Sequence, residues 1–169
     1  MKLFYTYISK MTGNPMKHRR SETQDIDDAI IKTLNKLLEI ELAGVVRYTH
    51  YSFMVFGFNR IPICKWMRDQ AQESLNHAHL IGELITHFSY HPTLKIGKLL
   101  ETHEHNISNI LEESLEHERQ SLDLYYQLLQ YSENKSVLVE EFARQMIQEE
   151  EMHLGEISKM LNSPTTFKD

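Results

Sequence analysis

Four glutamates fall where helical geometry turns them toward a protein interior. Glu41 lies seven residues after Leu34 and seven before Tyr48, with Leu37, Leu38 and Val45 beside it. Glu118 repeats the pattern between Leu111 and Tyr125, flanked by Leu115 and Leu122. Glu150 stands among Met146, Ile147, Leu154 and Ile157, and Glu73 shares a face with Trp66, His77 and Leu80. Glu116 is a decoy, because its helical neighbours Asn109, Glu112, Gln120 and Asp123 are all polar. Converging buried carboxylates repel one another and lose their hydration, so they need positive partners. Salt bridges would be the ordinary solution. Yet no Lys or Arg stands three, four or seven residues from any of the four, although a long side chain such as Arg47 can reach inward from another register. Two divalent cations would balance four carboxylates. His153 follows Glu150 at i+3 and His77 follows Glu73 at i+4, which adds an imidazole to two of the four faces. One carboxylate per helix, with a histidine on two of them, is the ligand pattern of a dinuclear carboxylate centre inside a four-helix bundle.

The elements that must position these groups are legible from the 3.6-residue apolar period. It predicts helices over about 25–56, 61–89, 104–131 and 135–161. Short joints near 57–61 and 132–135 make the first two helices antiparallel, and likewise the last two. Between them the stretch 89–103, with Pro92 and Gly97, is long enough to run the height of a bundle. That connectivity predicts an all-α four-helix bundle with one long crossover between helices two and three; a plain up-down bundle with a loose loop is the alternative. Glu41, Tyr48 and Glu73 recur as Glu118, Tyr125 and Glu150, each displaced by 77 positions, and His77 recurs as His153 at 76. A repeated helical hairpin is what a pseudo-twofold dinuclear site requires.

Composition narrows the class. A chain of 169 residues, 41 % apolar and 25 % charged, fits one globular domain and excludes collagen-like or largely disordered chains. The net charge of −6 disfavours phosphate backbones and anionic membranes, so neither nucleic acid nor membrane is an expected partner. No apolar run reaches the length of a membrane span. The N-terminal MKLFYTYISKM is a poor signal peptide, and the single Cys64 fits a reducing, cytoplasmic setting. Residues 1–24 are expected to be a tail, with Met16 an alternative start, followed by a bundle over 25–161 and a short tail over 162–169. His79, the crossover pair His103 and His105, Cys64 and the KHRR run at 17–20 are read as surface, loop, packing and tail residues.

The chain resembles the bacterioferritins and their ferritin-like relatives over about 25–161. The resemblance is carried by LNKLLEIEL around Glu41 with Tyr48 following, by His77-Ala78, by the PTLKIGKL crossover and by EEEMH on the last helix. It implies a ferroxidase centre with Glu41, Glu118, Glu150, His77 and His153 as ligands to two iron ions, with Tyr48 matching the family's tyrosine beside the diiron site. Three departures stand out. The residue three before His77 is Ser74 rather than a glutamate, so Glu73 is taken to complete the ligand set. Leu75 occupies the position of the haem-ligating methionine, and haem is not expected. Only 16 residues follow His153, which leaves no evident fifth helix; a homo-oligomer of at least two chains is implied, but not a cage. The expected activity is oxidation of Fe²⁺ by O₂ or peroxide for iron storage or detoxification, and Mn or Zn would suit the same ligands. A diiron or dimanganese oxidase or peroxide-handling protein, and an interaction bundle with an incomplete metal site, are the alternatives.

Overall fold

The computed structural model describes residues 26–99, 102, 103 and 105–162. The expected tails, apart from Asn162, and the KHRR run lie outside the described residues. Four helices make up the regular structure: α1 (Asp28–Met54), α2 (Arg60–His87), α3 (Ile107–Ser132) and α4 (Val137–Leu161). Each starts where the chain supplies a reason. Asp27 caps α1 by accepting from the Ala29 amide, Asn106 caps α3 from the Asn109 amide and Ser136 caps α4 from the Val139 amide. Pro62 sits in the first turn of α2, where its missing N–H leaves no hydrogen bond unmade. Gly57, at φ 93°, turns the chain between α1 and α2.

The crossover decides the topology. It lies along α1, where the Thr93 amide donates to Asn35 Oδ1 at 2.7 Å and the Gly97 amide donates to the Glu39 carbonyl at 2.8 Å. A Cβ on Gly97 would lie 2.9 Å from that same carbonyl oxygen, so the close approach depends on glycine. Having run the length of the bundle, the chain begins α3 at the end where α2 began. Ile107, Ile110 and Leu111 accordingly pack with Val55, Cys64 and Met67. At the opposite end Lys135 Nζ lies 2.8 Å from Asp27, tying the α3–α4 joint to the start of α1. This is the long-crossover bundle that the spacing predicts.

Two apolar clusters fill the interior. One gathers Ile30, Leu34, Leu37, Ile81, Ile85, Leu128, Val139 and Met146; the other gathers Tyr51, Val55, Cys64, Met67, Ile110 and Ile157. Between them lies a polar layer of Glu41, Ser74, His77, Ser114, His117, Glu118, Ser121 and Glu150, all buried. α1 packs along α2 and α3, and α3 along α4, whereas no Cα of α2 approaches α4 within 8 Å. The polar layer therefore opens sideways, between α2 and α4.

One register expectation needs correction. Leu80 is 50 % exposed rather than inward. Trp66, Glu73 and Leu80, spaced by sevens, form one row along the edge of the α2–α4 gap, and Trp66 and Glu73 are only partly buried. The rows of α2 that are buried throughout are Cys64–Ala71–Ala78–Ile85, Met67–Ser74–Ile81 and Gln70–His77–Leu84.

Candidate metal centre

Each helix contributes to the polar layer from its middle turns, where an apolar cluster on either side excludes water. α1 supplies Glu41, α2 supplies His77 and Ser74, α3 supplies Glu118, and α4 supplies Glu150 and His153. Together with Gln70 and Glu73 they line a cavity of about 10 Å³, close to the minimum that admits one water. Glu41, His77 and Glu150 each offer a ligand atom within 4.8 Å of the others, and so do Glu118, Glu150 and His153. Glu150 belongs to both groups and is 1 % exposed.

The two histidines face both ways. His77 points Nδ1 inward, 3.6 Å from Glu41 and 3.4 Å from Glu150, and Nε2 outward, 3.2 Å from Glu149. His153 points Nδ1 at Glu150, 3.6 Å away, and Nε2 at Glu73, 3.2 Å away. Glu73 therefore stands at the rim, against the outer nitrogen of His153, with Gln70 donating to it at 3.2 Å. Glu73, His77 and Glu149 form a third convergent group there. Glu149 was not singled out from the sequence. The signal was present in the interval, because Glu149 precedes His153 by four just as Glu73 precedes His77 by four. In α2 and α4 the repeat thus runs at 76 positions, relating Glu73 to Glu149 and Ser74 to Glu150.

Phenols hold two of the carboxylates. Tyr48 donates to Glu118, and Tyr125 donates to Glu41 at 2.9 Å, with Ser121 adding a donor at 3.2 Å. Each phenol crosses from one hairpin to the glutamate of the other. Burial and the neighbouring carboxylate charge raise both phenols well above 10, which keeps them protonated as donors. Tyr48, the expected redox or hydrogen-bonding residue, thus touches the centre directly.

Without metal, protons balance the charge. Burial pulls His77 down, but the adjacent Glu150 and Glu41 outweigh it and hold the imidazole up at about 11. His153 follows the same pattern, with Glu150 and Glu73 holding it at about 10. Burial and the Glu150 charge push Glu118 well above the usual carboxylate range. Glu150 goes the other way: burial raises it, but the adjacent His153, His77 and Glu118 outweigh that and lower it.

Arg47 does reach inward, but not to these carboxylates. Its guanidinium donates to the Glu113 carbonyl at 2.9 Å and to the Tyr51 hydroxyl at 3.3 Å, and it forms no ion pair among the described residues. It sits instead near His117, whose ring meets Tyr48 edge-on. Burial and the Arg47 charge lower His117 to about 3, so it is a neutral imidazole beside the centre. Of the residues read as bystanders, Glu116 and His79 are exposed. Cys64 is buried, its thiol donating to the Ser52 carbonyl at 3.1 Å.

The ferritin family model, described as a ferritin-like domain, matches residues 31–165. No curated protein matches the chain. Among solved structures, a ferritin-like diiron-carboxylate protein from Bacillus anthracis str. Ames superposes with a TM-score of 0.75 at 21 % identity, covering 79 % of this chain and 95 % of that one. The Rhodobacter capsulatus bacterioferritin, described with a metal-free dinuclear site and haem iron, superposes at 0.72 and 23 % identity, covering 80 % of this chain and 84 % of that one. At these identities the superpositions speak for the fold alone, whereas the family model spans most of the sequence. The described residues contain no helix long and apolar enough to cross a membrane. With its crossover bundle and a layer of carboxylates and imidazoles between the helices, the chain belongs to the ferritin-like domain family.

Proposed function

We propose that the protein binds two divalent metal ions between its hairpins and that Fe²⁺ is its substrate, oxidised by O₂ or peroxide for storage or detoxification. The observation that carries this reading is the sharing of Glu150 between two convergent groups, Glu41–His77–Glu150 and Glu118–Glu150–His153. The donor set fits. Carboxylate oxygen and imidazole nitrogen suit iron in both oxidation states, and Mn or Zn would find the same donors acceptable. Glu150 Oε2 is buried without a hydrogen bond, an oxygen that a cation would satisfy. Bound at these groups, iron would supply the redox chemistry.

The protein's own residues do the rest. His77 and His153 give up their inner protons when a cation arrives, and each keeps an outer N–H on a rim glutamate, which fixes the ring. Tyr48 and Tyr125 hold Glu118 and Glu41 in place as hydrogen-bond donors. The apolar clusters above and below exclude water, and the α2–α4 gap with Glu73 and Glu149 gives an acidic mouth through which cations approach. Assembly of at least two chains, without haem, in the cytoplasm belongs to the same reading.

A second reading has its own support. The imidazolium–carboxylate balance neutralises the layer without metal, which suits a bundle that serves structure or interaction. Anaerobic titration with Fe²⁺ followed by air separates the two. Two irons per chain and a rapid rise of oxidised-iron absorbance support the first; absence of binding, or binding indifferent to Glu150→Ala, overturns it.

A further inference from the structure

Three histidines from two distant segments gather at the end of the bundle where α1 finishes and α3 begins. His50 lies near the C-terminal end of α1, and His103 and His105 close the crossover just before Asn106, the cap of α3. The His50 and His105 rings stand 6.2 Å apart between centroids, and the His105 and His103 rings 6.5 Å apart. His50 and His105 are half-buried with Nε2 shielded from solvent, whereas His103 is exposed. Nine residues of helix separate His50 from Glu41, a rise of about 13 Å, so this cluster is not part of the central layer.

Neighbouring residues hold the two segments together. Glu113 of α3 accepts a hydrogen bond from Tyr51, the residue after His50, and another from Thr102, the residue before His103. One carboxylate thus braces α1 against the end of the crossover. Arg47 fixes the same turn of α3 by donating to the Glu113 carbonyl at 2.9 Å. His103 holds φ at 58°, the left-handed region that a β-carbon disfavours, in the turn that sets its ring beside His105.

The donors and their spacing suit a metal ion. With metal–nitrogen distances near 2.0–2.1 Å, two imidazole centroids around one ion fall roughly 5–6 Å apart. The observed spacings are only slightly wider, and rotation about the side-chain bonds closes the difference. Nitrogen donors favour Zn²⁺ and its late first-row neighbours over Mg²⁺ and Ca²⁺, which take oxygen.

We propose that His50, His103 and His105 form a second metal site, which binds one divalent ion of the Zn²⁺ type per chain and pins the end of the crossover to α1. Water completes the coordination on the exposed side. The site is independent of the two-metal reading of the central layer.

The test titrates the metal-free full chain with Zn²⁺ while isotope-labelled imidazole resonances are followed by NMR. His77 and His153 report the central layer, and His50, His103 and His105 report the new site. The last three should move together and saturate at one Zn²⁺. His105→Gln should weaken the response of His50 and His103 by more than the roughly 10–100-fold lost when only an outer partner of a ligand is removed. His77 and His153 should respond as before. His103→Gln, at an exposed position where folding is not at stake, should weaken the response of His50 and His105 in the same way. A response confined to His77 and His153 overturns the proposal, and so does independent saturation of the three rings. A His50 response that survives both substitutions overturns it too. A joint response of the three with none at His77 and His153 supports this site and overturns the central one alone.

Discussion

His77 Nε2 lies 3.2 Å from Glu149 while its Nδ1 faces Glu41 and Glu150, so one imidazole joins the rim of the bundle to its interior. His153 does the same with Glu73. The rim glutamates act through the histidines: each fixes the ring and keeps the outer proton, leaving the inner nitrogen for a cation. Glu149→Gln should therefore weaken metal binding about 10–100-fold, in the range found for carboxylates that orient histidine ligands. Competition with a chromophoric chelator would measure it, and an unchanged affinity would show that Glu149 does not position His77.

The same protons set the pH response. In the metal-free protein His77 and His153 are held at about 11 and about 10, above their ordinary 6.5. A folded state that binds protons more tightly than the unfolded chain is stabilised below the unfolded value and loses that stabilisation as pH rises toward the folded one. The raised Glu118 works in the same direction from the carboxylate range upward. The metal-free protein should accordingly show a lower urea midpoint at pH 9 than at pH 6.5. Cations must displace these protons, so metal affinity should rise over the same interval. Calorimetry in buffers of different ionisation enthalpy should register proton release on binding; zero release would contradict the protonated layer.

Neighbouring glutamates on α3 should behave oppositely. Glu116 is exposed and accepts from Gln120 at 2.8 Å, whereas Glu118 is buried under Tyr48. Glu116→Ala should leave iron oxidation intact, and Glu118→Ala should abolish it. The reverse pattern in a stopped-flow assay would contradict the site geometry.

The crossed phenols should matter for stability as well as for the centre. Tyr125→Phe removes a buried donor to Glu41, and a hydrogen bond to a charged group is worth about 1.5–3 kcal/mol. Urea denaturation of the metal-free protein should show a loss of that order, and Tyr48→Phe a smaller one, about 0.5–1.5 kcal/mol, because Glu118 is held toward its neutral form.

Gly97→Ala should destabilise the bundle by about 1–3 kcal/mol, the usual penalty for overpacking. The new methyl would meet the Glu39 carbonyl oxygen at 2.9 Å, and backbone cannot rotate away as a side chain can. Thermal melting would measure the loss.

Much of this architecture was legible because apolar period and connection length are local properties. The crossover could be read from its length and its Pro92 and Gly97, and Glu41, Glu118 and Glu150 from apolar neighbours at three, four and seven residues. Glu73 was harder. A row spaced by sevens that carries Trp66 and Leu80 resembles an inward face, yet it runs along the gap between α2 and α4. Only the separation of those two helices shows that such a row is half wet. Glu149 escaped notice because it sits in a run of three glutamates, where hydropathy cannot tell rim from core. His117 escaped because its neutrality comes from burial, reinforced by the charge of Arg47, and both depend on packing against another helix.

The sideways opening also bears on how the molecule deforms. Helix packing joins the hairpins closely along the α1–α3 seam, while on the far side α2 and α4 stand farther apart and are linked at the polar layer by Glu73–His153, His77–Glu149 and the shared Glu150. The two halves are therefore built like a book, its spine apolar and its clasp ionic. Loading the clasp should slow amide exchange in the middle turns of α2 and α4 far more than in α1 and α3, so that cargo is felt as stiffness along one edge of the protein.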